Sequence, residues 1–530
     1  MHDPLPHHAV KALPEVPDAA TVALTRLGFG PSPQARAEFE GLGASDAQRF
    51  AAWIDRQLAP ASIDDSACDA RVAQSGFTTL GKSLNELWTQ HLENEEWQIR
   101  MQPFYEVTLQ AFVRAIHSRR QLFELMVDFW HNHFNVFGDD VPFGPLWAHY
   151  DREAIRANAL GNFREMLEDV ATSPVMLFYL DNAYNSQEDP NENFAREALE
   201  LHTLGADAYY GSIPPDQVPT DASGLPLGYT EDDVVEAARC LTGWTIETSW
   251  VWWQFDDTGE FLYYDEWHDS GAKSVMGLDL PPGQGPMQDG RDLFDHLTNH
   301  PATARFISLK IARRLMADSP PDAVVAAAAE TFRVHVASPD QIARVVRTIL
   351  EHPAFLETWG DKAKRPFETV VSMYRGLRLD LPFTVADWRD GLTGWFLWEY
   401  FQTSQPLFGW HPPNGYPDVK FAWIATSPRV MTWRIANMLL GIWNEATEFW
   451  YFDLFERTPP SVRSPEAIVD HWSGEVLGRA LPAGERQPLV SFMAQGADPT
   501  EPLDWNRWVA GERLRAAVAM ILMSPTFLFK

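Results

Sequence analysis

Cysteine, basic charge and long apolar runs are all scarce in this chain. Only two cysteines, Cys68 and Cys240, occur in 530 residues, which excludes a disulfide framework and a thiolate zinc site. Any metal would have to be held by His, Asp or Glu. Cys240 lies in an amphipathic helical pattern and reads as a buried free thiol. Lysine and arginine total 42 against 73 acidic residues, a net charge of −31. Phosphate neutralisation needs clustered cations, so nucleic acid is disfavoured as a partner, as is an anionic membrane surface. The charge itself reads as solubility through self-repulsion. No run of about 18 apolar residues occurs, so no segment is expected to span a bilayer. The first residues show no basic stretch followed by an apolar one, so no signal peptide is visible. Gly-x-Ser-x-Gly elbows, Walker-type loops and dinucleotide fingerprints do not occur, and the chemistries built on them lose support.

What is present is an aromatic, helical chain. Hydrophobic residues make up 45% and charged residues 22%, a globular balance. The 22 tryptophans imply a large aromatic core, with some indoles available to line a ligand cleft. Apolar spacing of three and four predicts helices over 17–29, 46–57, 80–117, 118–133, 151–171, 192–204 and 230–244, then on through 289–379 and 428–524. Aromatic runs at 250–255 and 260–265 around Asp256-Asp257-Thr258-Gly259 predict a β-hairpin. Residues 206–229 and 267–286 read as loops. No linker divides the chain. The expected fold is mainly α: one large bundle-like unit over 1–530 with a small hairpin insertion near 249–266. Its expected subregions are 1–117, a motif-bearing core over 118–400, and 401–530.

The densest chemistry is Phe129-Trp130-His131-Asn132-His133-Phe134. Polar groups inside an aromatic wall need partners, because burying them unpaired is costly. Two positions apart on a helix, His131 and His133 point about 200° away from each other, so one of them works or the helix ends here. Asp128, one turn before His131, is expected to orient its imidazole. About 60 residues downstream lies Asn191 to His202. There Asn193, Arg196, Glu197 and Glu200 share one helical face, and Glu197 and Glu200 could both reach a metal. Bundles build such sites from inward glutamates and histidines on facing helices. The two segments are expected to meet, with His131, His133, Glu197, Glu200 and His202 around a divalent metal ion. Asp181 or Asp128 would act as base or orienter. Arg196 serves the site or simply pairs with Glu192 or Glu200.

Two further segments are candidates. His268-Asp269-Ser270-Gly271-Ala272-Lys273 offers His268 and Lys273, the latter as an electrostatic stabiliser or as a solvated lysine on a surface turn. Gly409 to Pro417 combines prolines and aromatics, either as a ligand wall or as an Ω-loop.

In order, these segments resemble a large bacterial family catalogued as a domain of unknown function, number eighteen hundred in its series. The residues that carry the resemblance are Thr25 to Gly30, Phe129 to Phe134, Gly161 to Glu165, Tyr179 to Asn182, Asn191 to Gly205, Leu241-Thr242-Gly243-Trp244, His268 to Gly277, and Lys364-Arg365-Pro366-Phe367-Glu368. The chain departs at Gly415-Tyr416-Pro417-Asp418, where the family usually runs on to a Gly-Trp and a glycine pair. The resemblance implies a mostly helical fold and often export from the cytoplasm, and it supplies no activity. Three functions stay open. The first is an enzyme with a His/Glu site, hydrolysing or oxidising a small molecule or carbohydrate with a divalent metal. The second is a metal-free carbohydrate- or polymer-binding protein using tryptophan shelves. The third is a structural scaffold. Nothing in the sequence marks an oligomeric state.

Overall fold

The Pro366–Leu377 helix is buried along its whole length, with its polar side chains Glu368, Ser372 and Arg375 each bonded to a neighbour. It sits at the centre, packed against the helices Gln102–His117, Thr426–Gly441 and Pro465–Leu477. The computed structural model describes residues 15–380, 382–385, 391–441, 443–444, 449–450 and 452–530. The described residues are 58% helical and 4% strand. One hydrophobic cluster runs from Ala20 to Leu528, and it includes buried indoles such as Trp88, Trp130 and Trp244.

Helix positions follow from local signals. Ser45 and Gln48 form a capping box that starts Asp46–Gln57. Ser118, Arg119 and Arg120 join Gln102–His117 to Gln121–His133. The Gln121 amide donates to the carbonyls of Ala115 and Ser118 at 3.0 and 2.8 Å, which closes that corner. The expected 151–171 helix is instead two pieces. A π-helical turn covers Tyr150–Arg156, and Phe163–Ala171 starts afresh because the Asn162 side chain accepts from Arg164 N and Glu165 N.

A buried charge network holds the central helix. Arg314 Nη2 donates to Asp128 Oδ2 at 2.7 Å, and its Nη1 lies 3.0 Å from Glu368 Oε2. Arg365 also donates to Asp128, and Lys530 Nζ donates to Glu368. The flanking cations hold the Glu368 carboxyl well below the usual range against the opposing effect of burial. Charges taken out of water are tolerated only when paired in this way.

The hairpin has its second strand inside the expected 260–265, and its first strand earlier than expected. Trp244–Ile246 pairs antiparallel with Phe261–Tyr263, and Trp250–Phe255 forms turns. The reason is Asp257: its carboxylate accepts from Thr248 Oγ1, Ser249 N and Ser249 Oγ at 2.7–2.9 Å. That cap folds the tryptophan run into a loop, and the first strand instead starts at Trp244, the last residue of the expected 230–244 helix, which ends at Cys240. A second hairpin, Lys273–Val275 with Leu278–Leu280, lies inside the expected 267–286 loop. Met276 and Gly277, at φ 48° and 80°, supply the two positive φ values of a type I′ turn.

Candidate functional site

The two polar segments meet. The Gln121–His133 helix ends at Phe134, so both histidines lie in its last turn and diverge. The His133 ring stands 6.2 Å from the His202 ring, and Phe134 stands 5.0 Å from it. His133 Nε2 donates to the His202 carbonyl at 3.1 Å. His202 is carried on a widened π-helical turn, Ala198–Thr203, that continues the Glu192–Glu197 helix, a local form frequent at functional sites. Both nitrogens of the His202 ring are buried without a hydrogen-bond partner. Burial, reinforced by Lys310, pushes the His202 pKa down to about 3 and holds His133 well below its ordinary value.

Lys310 escaped the sequence reading, because nothing in its local spacing marks it. It lies on Pro301–Leu315 with its ammonium 5.2 Å from the Phe306 ring. Burial lowers its pKa to about 8.

His131 faces a different environment. Its Nε2 lies 2.9 Å from Asp151 Oδ1, with both side chains buried. Asp151, not Asp128, is its orienter, since Asp128 is engaged by Arg314 and Arg365. His131, Asp128 and Asp151 border an internal cavity of about 20 Å³, room for a single water. The five residues expected around a metal therefore fall into separate surroundings. Among the described residues no three His, Cys, Asp or Glu side chains converge on one point.

Most of the other motif residues are consumed in locks. Asn132 donates to Tyr416 O at 3.0 Å and accepts from Tyr416 N at 2.8 Å. Asn135 donates to the carbonyls of Trp410 and Pro412. The aromatic motif thereby clamps the 409–417 loop. Asn182 donates to Trp244 O at 3.0 Å, and Asn185 donates to Ala238 O at 2.9 Å. Lys273 is neither a solvated surface lysine nor free to meet a substrate. Its ammonium donates to Asp289 Oδ2 at 2.5 Å, to Gly271 O at 3.0 Å and to Asp269 O. His268 Nε2 lies 3.2 Å from the same Asp289 oxygen. Arg196 pairs with Glu192 at 3.0 Å and Glu231 at 2.5 Å. Asp181 is exposed, in a left-handed turn, and accepts from Asn193.

Glu197 and Glu200 are the exceptions. Both are half-buried, and neither makes a hydrogen bond or ion pair with a described residue. Burial, then the like charge of Glu200, raise the Glu197 pKa to about 7. Tyr179 lies close enough for Glu197 to raise its phenol pKa, after burial, to about 12. The Tyr179 hydroxyl donates to the His411 carbonyl on the clamped loop.

Fold and geometry together define a large helical protein whose motifs lock loops to helices and leave Glu197 and Glu200 unpaired among the described residues. The chain belongs to the family described as Protein of unknown function (DUF1800), whose model matches residues 22–529. Comparison with curated proteins and with solved structures returns no match.

Proposed function

We propose that this protein is an enzyme whose reacting groups are the Glu197 and Glu200 carboxylates, used for general acid–base chemistry on a polar substrate. The observation that carries the reading is the unpaired state of both acids, in a fold where most motif polar groups are bonded. A carboxyl poised near neutrality suits proton transfer at physiological pH, and such perturbed groups cluster at functional sites. Glu197 would give or take the proton, with Glu200 keeping its affinity high. This reading requires no third metal ligand. The test is a screen of the purified protein against ester, glycoside, peptide and phosphoester substrates, with Glu197→Gln and Glu200→Gln run in parallel. Turnover is expected in the wild type and lost in Glu197→Gln; turnover that persists in both variants overturns the assignment.

A second reading has its own support. Trp252, Trp253, Phe255, Tyr264 and Trp267 form a chain of ring contacts 5.1–6.4 Å apart, and Trp253 is 72% exposed. Flat sugar faces stack on such indoles. Gln187, in the turn before the Glu192–Glu197 helix, donates to Trp267 O at 2.7 Å. The shelf is thus tied to the segment that leads into the acid pair and would present a carbohydrate polymer to it. A fluorescence titration with soluble polysaccharides, repeated on Trp253→Ala, tests this.

A further inference from the structure

Two of the family segments leave a residue that neither the buried charge network nor the acid pair uses. Lys364 opens Lys364-Arg365-Pro366-Phe367-Glu368, and Thr25 opens Thr25 to Gly30. They meet at a pocket of about 10 Å³, lined also by Arg479, Trp359, Thr526 and Phe527. That is room for one water-sized particle. Thr25 comes from the Ala19–Arg26 helix and Phe527 from Pro525–Leu528, so the pocket lies where the two ends of the described chain pack on the central helix.

Lys364 is 4% exposed, and its ammonium makes no hydrogen bond or ion pair with a described residue. Its one ring contact is Phe527, whose centre lies 4.2 Å from Nζ. A ring face attracts a cation but replaces neither a counter-charge nor a hydrogen-bond acceptor. Glu368, the carboxylate that favours its charge, is already held by Lys530 and Arg314. The other charges around it are cations. Arg479 Nη2 reaches the Thr526 carbonyl at 3.5 Å, and its guanidinium lies 5.6 Å from the Trp359 ring. The acids in range of Arg479, Glu485 and Asp18, are bonded to Thr526 N and Arg36 instead. Arg429 donates to the Lys364 carbonyl at 3.2 Å and, like Arg479, forms no ion pair with a described residue. Burial and the like charges of Lys530, Arg479 and Arg429 press the Lys364 amine down to about 7. Three cations thus gather without an ion pair in a chain of net charge −31, although buried charges are normally paired. The Thr25 hydroxyl also makes no hydrogen bond with a described residue.

We propose that this pocket binds a monatomic anion, chloride in solution, between the Lys364 ammonium and the Arg479 guanidinium, with the Thr25 hydroxyl as a further donor. The ion supplies the missing counter-charge and an acceptor for the lysine protons. The space is too small for a carboxylate or phosphate group, which sets a halide apart from larger anions. The role is structural: the ion ties the Ala19–Arg26 and Pro525–Leu528 helices to the start of the central one. The site shares no residue with the Glu197–Glu200 pair, so either assignment stands if the other fails.

The experiment is thermal unfolding of the full chain at pH 7 as sodium gluconate is replaced by sodium chloride. Ionic strength is kept on the order of 0.15 M, so general screening of the acidic chain stays constant. Wild type, Lys364→Met and Arg479→Gln are compared, and unfolding in gluconate alone verifies that each variant is folded. The wild-type Tm is expected to rise with the logarithm of chloride once the dissociation constant is exceeded, as for any ligand of the folded state. That rise should vanish in Lys364→Met and shift to about tenfold higher chloride in Arg479→Gln, the loss of one charged hydrogen bond. Line broadening of the chloride NMR signal reads binding without reference to stability, and Lys364→Met should reduce it. No chloride-specific rise in the wild type means that water fills the pocket and overturns the proposal. So does a rise that persists undiminished in folded Lys364→Met.

Discussion

A Cβ placed on Gly415 would stand 2.0 Å from the Asn132 carbonyl oxygen. Gly415 also has φ +71°, a region other residues enter at a cost of about 1–3 kcal/mol. Gly415→Ala is therefore expected to destabilise the protein by more than that strain alone, because the 409–417 loop must also withdraw from the aromatic motif. Asn135→Ala, which frees the carbonyls of Trp410 and Pro412, should cost less, about 1–3 kcal/mol. Urea unfolding of the two variants checks the order; equal stability of Gly415→Ala and wild type would refute the clamp.

Asp128 is shared between Arg314 and Arg365, whose side chains are 1% and 2% exposed. Removing the shared acid leaves two buried cations with less compensation. Asp128→Asn should cost about 3–5 kcal/mol, the range for breaking a buried pair. Adding Arg365→Met should recover part of that loss, since the two residues act as one unit. A double-mutant cycle in urea measures the coupling, and a sum of independent effects would show that the network is not cooperative.

Much of this architecture was legible because it rests on local rules. The 3.6-residue period placed the Gln121–His133 helix, and the divergence of His131 and His133 followed from two-residue spacing. The meeting of His133 with His202 was legible as well, since both segments carry polar groups inside apolar surroundings. What escaped depends on partners distant in sequence. Asp151 replaces Asp128 beside His131 because a π-helical turn 20 residues on presents it there. Lys273, which its local sequence leaves open as an electrostatic stabiliser or a solvated surface lysine, is enclosed by Asp289 on the Gln288–Asn299 helix. The Trp250–Phe255 run has strand composition, yet the side chain of Asp257 overrides it with a cap.

The Glu197 carboxyl should titrate near 7, well above its ordinary 4.5. Carbon NMR of glutamate-labelled protein would show this directly. Glu200→Gln should move the value down while leaving the shift due to burial. The linkage sign follows. A raised carboxyl binds its proton more tightly in the folded state, so its contribution is complete below the unfolded value and declines as pH rises through 7. Glu197→Gln should remove that decline, and a titration unchanged by Glu200→Gln would separate the two acids.

The imidazoles act in the opposite direction. His202, pushed down to about 3, and His133, also depressed, remain neutral in the folded protein while their unfolded counterparts take up protons below about 6.5. The unfolded state therefore binds more protons as pH falls, and stability drops from about pH 6.5 downward. Each fully linked imidazole contributes a slope of about 1.4 kcal/mol per pH unit. Other depressed imidazoles share the window, His117 at about 4 and His149 among them, so the difference between variants is what isolates His202. Lys310 titrates near 8, above the window, and Glu368 is held well below the usual carboxylate range. Glu197 opposes the imidazoles between 4.5 and 7, so the measurement belongs in the Glu197→Gln background. Unfolding free energy from pH 7 to 5.5 should fall there, and adding His202→Phe should lower the slope by one proton's worth, whatever its effect on absolute stability. An unchanged slope would mean that His202 is protonated in the folded protein, and the buried junction between the two histidine segments would then need a counter-charge.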